Sequence, residues 1–295
     1  MPHGPAFAVK KTSKVYLHTD IEGVAGYVHY YSMSASLWNF HHVQRMNRLL
    51  TGEINAAALA CKESGVKEVW VNDSHGPCYN ILFEELDPIC RILHGRPGHA
   101  PSWLPGLDES FDAAIAIGMH PKAGTPNAVC NHSLWHLTDA LGITHRFSET
   151  VMAALLCATR KVPLVAVSGD QHICREISEW IPGCRTAEVK TSLGIQFANS
   201  LHPLAAQALI AESVREGLSQ VGSIPLPQIT GPFRLNVSDR DPDKKELPAD
   251  LCGDSLWELM HQVCNTLYAK FGETESVDDR TWRYPDSVFS PRKSP

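Results

Sequence analysis

Four segments of the chain share one pattern, a run of apolar and β-branched residues that ends abruptly in polar or acidic residues. The segments are VYLHTDIEG (15–23), VKEVWVNDSHG (66–76), FDAAIAIGMH (111–120) and VPLVAVSGDQH (162–172). Continuous apolar runs of this length are typical of strands that are buried on both faces. The pattern therefore predicts four buried strands, each followed by polar side chains.

A helical pattern separates the first two predicted strands. Between Asn39 and Ser64, apolar residues recur at the i, i+3, i+4 spacing of one helix face, and Gly65 stands where a helix C-cap is expected. Strands that alternate with helices indicate a mostly parallel sheet with helices on both faces. We therefore predict an α/β fold with such a central sheet, together with a smaller C-terminal α+β portion.

Local signals organise the rest of the chain. LWHL and ITHRF flank the turn sequence DALG, which predicts a hairpin, and Ser148 is placed to cap a helix that begins at Glu149. Helices are predicted over PLAAQALIAESVREGL and SLWELMHQVCNTLYAKF, and a loop over SDRDPDKKELPADLCGD. We place a catalytic metal-binding α/β domain at 15–200, a smaller α+β domain at 201–272 and an irregular tail at 273–295.

Composition narrows the class of protein. Hydrophobic residues make up 43% of the 295 residues and charged residues 20%, as is ordinary for a globular protein. The net charge of −6 and the lack of a long Lys/Arg run argue against nucleic acid as a partner. No apolar stretch approaches the roughly 18 residues of a membrane helix, so we expect no membrane association. Nine scattered cysteines, an odd number without paired short spacing, predict reduced thiols and a cytoplasmic location.

Polar side chains at the ends of the first three predicted strands carry the first functional signal. Asp20 and Glu22 end the first strand, His75 follows the second and His120 closes the third. Ligands of open α/β sheets gather at the carboxyl ends of strands, and two carboxylates with two imidazoles suit zinc. Each residue alone has a plainer reading, as a turn residue, a surface side chain or a core side chain. Together they predict a metal site.

Three further residues are open to more than one interpretation. Asp73 could orient His75 or bind a substrate amino group, and it equally fits a cap of the turn before His75. Glu149 lies in the first turn of its predicted helix, where a carboxylate is most often a partner of the helix dipole. His132, twelve residues after His120, is another candidate imidazole.

The ordered series HTDIEG, VNDSHG, GMHPKAGTP, NHS and SETVMAA resembles the bacterial DppA-type zinc-dependent D-aminopeptidases. The resemblance runs from Val15 to Pro203, including GDQ and AEVKTSLG, and continues more weakly to Phe271. It implies two zinc ions per subunit and a homo-oligomer, a decameric ring whose sites face an internal channel. The implied zinc ligands are Asp20, Glu22, His75, His120 and Glu149, with Asp20 bridging the ions, and the implied catalytic residue is His132.

The implied function is hydrolysis of the N-terminal amide bond of short peptides, with D-amino-acid peptides as candidate substrates, by water activated between two metal ions. His132 would be a nucleophile, as the resemblance suggests, a general acid for the leaving amine, or a donor to the tetrahedral oxyanion. Chemistry alone favours the last two roles. Two alternatives stay open: a metal-dependent amidohydrolase acting on a non-peptide amide or lactam, and a non-catalytic ring-forming binding protein. Retention of all the implied ligands argues against the binding protein.

Overall fold

In a computed structural model, two β-sheets and five α-helices make up most of the described chain. The structure describes residues 12–29, 37–76, 78–95, 103–133, 135–237 and 250–272. In chain order the strands are β1 (Lys14–Thr19), β2 (Glu68–Asp73), β3 (Cys90–Leu93), β4 (Ala113–Met119), β5 (Trp135–Thr138), β6 (Thr144–His145), β7 (Leu164–Asp170), β8 (Arg185–Gly194), β9 (Phe197–Ser200), β10 (Phe233–Val237) and β11 (Asp250–Gly253). The helices are α1 (Leu37–Glu63), α2 (Glu149–Thr159), α3 (Gln171–Trp180), α4 (Pro203–Ser219) and α5 (Leu256–Gly272), with a 3₁₀ helix at Phe83–Glu85. The predicted tail at 273–295 lies outside the described residues.

The larger sheet has seven strands in the order β3-β2-β1-β4-β7-β8-β9. Its neighbouring strands run parallel except β8 and β9, which are antiparallel. Every residue of β4 and β7 is buried, so both faces of the sheet are covered. The predicted α/β fold with a mostly parallel central sheet is therefore confirmed.

Helices cover the larger sheet as two packed pairs. Helix α1 packs on α4, which crosses β7 and β8, and α2 packs on α3, which contacts the same two strands. The predicted C-cap after α1 is confirmed, because Gly65 has a φ of +89° and the Val66 N–H donates to the Cys61 carbonyl. None of the helices within the described ranges combines the length and the apolar character needed to cross a membrane.

The smaller sheet is antiparallel, with the order β11-β10-β5-β6. Strands β5 and β6 form the predicted hairpin. The prediction of a loop over SDRDPDKKELPADLCGD is wrong for its last residues. Asp250–Gly253 forms β11, which places Leu251 opposite Leu235. A strand with a single buried apolar side chain has no periodic signal in the sequence. This sheet joins segments from both sides of residue 200, and the division of the chain at residue 200 stays a prediction.

The strand order places the three predicted site strands side by side. Strand β1 lies between β2 and β4, so the carboxyl ends of all three meet at one edge of the sheet. From β1 the chain moves to β2 and β3 on one side and then crosses to β4 on the other. Such a reversal of direction opens a crevice at the strand ends, the usual ligand position in an open α/β sheet.

Candidate metal centre

The edge formed by β1, β2 and β4 gathers the four side chains that the strand pattern singled out. Asp20 Oδ2 lies 3.3 Å from His120 Nε2 across the gap between β1 and β4. Glu22 Oε1 lies 3.1 Å from His75 Nε2, next to β2. Asp20, Glu22 and His120 are buried, and the His75 side chain is only 10% exposed. The structure therefore brings all four into one buried cluster.

Two more side chains complete this cluster, Glu149 from α2 and His132 from the segment before β5. Glu149 Oε2 lies 3.9 Å from His120 Nε2, and Glu149 Oε1 lies 3.9 Å from His132 Nε2. The His132 ring stacks on His120, with centroids 3.8 Å apart and planes 14° apart. Ligand atoms of Asp20, Glu22 and His120 lie within 4.8 Å of one another, and so do those of His120, His132 and Glu149.

The start of α2 fixes Glu149. The Ser148 hydroxyl accepts a hydrogen bond from the Val151 N–H, which confirms the predicted N-cap. The Ser148 N–H donates to Glu176 Oε1 at 2.9 Å, so α3 anchors the same point. Glu149 is buried and faces His120. An interaction with the helix dipole alone would not require the carboxylate to be buried or to face His120.

The rings of His120 and His132 are oriented in the same way. His120 Nδ1 lies 3.0 Å from the Pro121 carbonyl oxygen, and His132 Nδ1 lies 2.8 Å from that of Cys130. Because a carbonyl oxygen can only accept, Nδ1 carries the proton in both rings. Each Nε2 then presents a lone pair to the cluster, the state in which an imidazole binds a metal.

The side chain of Asn80 fixes the orientation of the His75 ring. His75 Nδ1 lies 3.3 Å from Asn80 Oδ1, while Asn80 Nδ2 donates to the His75 carbonyl and to Asp73 Oδ1. Asp73 Oδ2 also accepts from the backbone N–H groups of Asn80 and Ile81, at 2.5 and 3.0 Å. The contacts of Asp73 are thus those of a residue that orients His75 through Asn80.

Burial and neighbouring charges set the protonation of the cluster. Burial, followed by the charges of Glu22 and Glu149, raises the pKa of Asp20 well above its usual value. Burial alone would raise the pKa of Glu22 and lower that of His75, but their mutual attraction lowers the pKa of Glu22 and raises that of His75. Burial and then the neighbouring His132 ring lower the pKa of His120 to about 3, so its imidazole is neutral.

The donor atoms of this cluster fit a bound cation. Among the described residues, Glu22 Oε2 and His120 Nε2 are buried without a hydrogen-bond partner, although Asp20 Oδ2 lies 3.3 Å from the latter. Acceptor atoms that face each other in a buried site repel unless a cation or a proton lies between them. Carboxylate oxygen and imidazole nitrogen are ligands that zinc accepts.

Two glycines allow the turn after β1 to lie directly against the end of β4. Gly118 has a φ of +76°, and a Cβ there would lie 2.2 Å from the Asp20 carbonyl oxygen. A Cβ on Gly23 would lie 2.0 Å from the Met119 carbonyl oxygen. The Gly23 N–H donates to the Gly118 carbonyl at 2.7 Å, and the Asp20 N–H donates to that of Ile117 at 2.9 Å. This close backbone contact brings Asp20 within reach of the β4 end.

Sequence reasoning assigned no role to several residues that hold the loops of the site. Lys190 Nζ donates to the Glu22 carbonyl oxygen. The Ser192 hydroxyl donates to Asp170 Oδ2 and accepts from the Val129 N–H, three residues before His132. A signal was present, because Lys190 and Ser192 lie in AEVKTSLG and Asp170 lies in GDQ, two segments that the family resemblance includes.

Comparisons with known proteins agree with the ordered motifs. A family model described as D-aminopeptidase (peptidase M55) matches residues 13–250. The D-aminopeptidase of Bacillus subtilis (strain 168) is 30% identical over 207 residues, which cover 68% of this chain and 71% of that protein. The solved structure of the Zn-dependent D-aminopeptidase DppA from Bacillus subtilis, a self-compartmentalizing protease, matches with a TM-score of 0.75 at 22% identity, over 89% of this chain and 99% of that one, and so shares the fold. On the family match and the curated relative, this chain belongs to the D-aminopeptidase family of peptidases.

Proposed function

We propose that this chain is a zinc-dependent aminopeptidase that hydrolyses the N-terminal amide bond of short peptides, peptides of D-amino acids among them. The observation that carries the proposal is the buried cluster of three carboxylates and three imidazoles, in which each imidazole turns its Nε2 atom inward. Membership of the D-aminopeptidase family supports the reaction, and the zinc dependence of the structural relative supports the metal.

The spacing of the cluster suggests two ions with separate ligands. Glu22 and His75, 3.1 Å apart, would hold one ion, and His120 and Glu149, 3.9 Å apart, would hold the other. Asp20 lies between these pairs, with one oxygen 3.3 Å from His120, and would bridge the ions. One imidazole nitrogen has a single lone pair, so His120 belongs to only one ion.

When bound, a zinc pair supplies Lewis acidity, which polarises the scissile carbonyl and makes water nucleophilic near neutral pH. His132 supplies the proton transfer. Its Nδ1 is held by the Cys130 carbonyl, so Nε2 is the nitrogen that accepts a proton and gives it to the leaving amine. Glu149 Oε1, 3.9 Å from that nitrogen, stabilises the imidazolium form. The His132 side chain is 21% exposed, against 1% for His120, so a substrate can reach it.

Metal analysis and a substrate panel test the proposal. We expect two zinc ions per subunit, release of the N-terminal residue from L- or D-configured dipeptides, and no cleavage of the same dipeptides after N-acetylation. Cleavage of acetylated and free dipeptides at equal rates contradicts an aminopeptidase. Turnover of non-peptide amides or lactams alone would identify an amidohydrolase, and zinc binding without any turnover would identify a binding protein.

The role of His132 is tested by His132→Ala, with His136→Ala on β5 as the matched control. We expect His132→Ala to abolish turnover and to retain both metal ions, because its imidazole moves a proton and is not needed to hold the ions. His136→Ala is expected to keep the activity of the unmodified chain. If His132→Ala loses a metal ion, His132 is a ligand together with His120 and Glu149, and the catalytic assignment is wrong.

The proposal includes a homo-oligomer in the cytoplasm, with a decameric ring as its specific form. The self-compartmentalizing character of the structural relative supports an assembly, and nine free cysteines support a reducing compartment. Light scattering of the full chain measures the assembly directly. A monomer at micromolar concentration would remove the ring from the proposal and leave the chemistry of the site untouched.

A further inference from the structure

Lys190 on β8 is a buried lysine whose ammonium group is enclosed by carbonyl oxygens of a single turn. Its Nζ donates to the carbonyl oxygens of Glu22, Val24 and Tyr27, the last two at 3.2 and 2.7 Å. An ammonium group has three N–H donors, so this one turn takes all of them. Lys190 is 2% exposed, and 168 residues separate it from Glu22 along the chain.

We propose that Lys190 is a positioning residue that holds the turn 20–27 in the shape in which Asp20 and Glu22 bind metal. The inference rests on the proposed zinc site and extends it to a residue that would touch neither substrate nor metal.

The carbonyl oxygens of Glu22, Val24 and Tyr27 all face the Lys190 ammonium group. They converge on one point, and without a cation at that point their partial negative charges would push the turn open. Hydrogen bonds from a charged donor are stronger than neutral ones, so the ammonium group fixes the turn more firmly than a water molecule or an amide could. One of the three oxygens belongs to the backbone of Glu22, whose carboxylate faces His75. Fixing that peptide fixes the start of the Glu22 side chain.

A second contact secures the turn from α1. The Ala25 N–H donates to Glu53 Oε1 at 2.9 Å, between the carbonyl groups that Lys190 binds. Three hydrogen bonds to carbonyl oxygens need three N–H donors, which only the ammonium form has, so the contacts themselves require the charged form.

The same contacts would be found if Lys190 stabilised the fold and had no effect on metal binding. The test therefore measures stability and metal binding separately. The variant is Lys190→Met, which keeps an unbranched side chain as far as the ε position and removes the donors. The matched control is Val189→Ala, because Val189 is the fully buried neighbour on the same strand, and its side chain points to the opposite face of the sheet from that of Lys190. If Lys190→Met does not fold, Lys190→Gln, a shorter side chain with a neutral donor, takes its place.

Three quantities are measured on each metal-free protein: the melting temperature, zinc affinity by competition with a chelating dye, and amide hydrogen exchange in residues 20–27. We expect zinc affinity to fall about tenfold or more in Lys190→Met, with faster exchange in the turn, because charged hydrogen bonds are lost. Val189→Ala is expected to lose melting temperature and to keep its zinc affinity within about twofold.

Two results would overturn the inference. If Lys190→Met binds zinc as tightly as the unmodified chain while its melting temperature falls, Lys190 serves stability alone and the proposed function stands. If the unmodified chain binds no zinc, the proposed function fails and the positioning role fails with it. The first result concerns the variant and the second the parent chain, so the two failures are distinguished.

Discussion

Replacement of Gly118 by alanine is expected to damage both the stability of the fold and the candidate metal site. Gly118 has a φ of +76°, and an added Cβ would lie 2.2 Å from the Asp20 carbonyl oxygen and 2.9 Å from Val24 Cγ2. Carbon and oxygen atoms that touch without bonding stay about 3.3 Å apart. The Asp20 backbone must therefore retreat by roughly 1 Å from β4.

Two effects are expected to lower the free energy of unfolding of Gly118→Ala. The left-handed conformation costs alanine ~1 kcal/mol, and forcing extra volume into a packed contact costs another ~1 to 3 kcal/mol. Gly142 offers a matched control, because its φ is also +76° and nothing lies within 4 Å of its added Cβ. Gly142→Ala should show the backbone cost alone, so the difference between the two variants is expected to be ~1 to 3 kcal/mol.

Urea unfolding of the metal-free proteins measures this difference, and zinc titration measures its consequence for the site. Asp20 lies 3.3 Å from His120, so a shift of about 1 Å changes the distance between two proposed ligands by nearly a third. Metal ligands tolerate errors of only about 0.5 Å. We expect weaker zinc binding in Gly118→Ala and unchanged binding in Gly142→Ala. Equal unfolding free energies in the two variants, with full zinc binding in both, would refute the reasoning.

Two further predictions concern residues around the cluster. Ser192→Ala removes the acceptor of the Val129 N–H and a donor to Asp170, so turnover should fall by about tenfold with zinc content unchanged; wild-type turnover would contradict this. Burial raises the pKa of Glu53 from 4.5 to about 7, so its stabilising contribution is full below pH 4.5 and lost as pH rises through 7. In urea unfolding, the unmodified chain should lose up to ~3 kcal/mol relative to Glu53→Gln between pH 4.5 and 8, whereas parallel stability curves would exclude a raised pKa.

Much of the candidate site could be predicted from the sequence because its strands are parallel and adjacent. In a parallel sheet the carboxyl ends of neighbouring strands share one edge, so residues that follow apolar runs meet there whatever their separation in the chain. Asp20, His75 and His120 obey this rule. The N-cap residue Ser148 predicted the start of α2, and this start fixes the position of Glu149 as the first residue of the helix.

The contacts of the supporting residues could not be predicted, although Lys190 and Ser192 lie in a segment that the family resemblance includes. The contact between Lys190 and Glu22 depends on the order β1-β4-β7-β8, which no periodicity encodes. Asn80 is one amide in an irregular loop, and only the folded loop shows that it joins Asp73 to His75. Strand β11 is only four residues long, and its register is set by pairing with β10. Whether these residues form a strand therefore depends more on the pairing with β10 than on their own β-propensity.

A further feature of the cluster is how its buried carboxylate charge is compensated. Asp20, Glu22 and Glu149 place three carboxylates in a buried volume, and each buried ion costs several kcal/mol unless opposite charge compensates it. His75 supplies positive charge to Glu22, whereas His120 is held neutral and Lys190 turns its donors to backbone oxygens. In His120 and His132 the Nδ1 proton points away from the cluster and the Nε2 lone pair points into it. A cation from solution that bound here would compensate the remaining carboxylate charge, so the residues that would bind metal would also make the local fold depend on it.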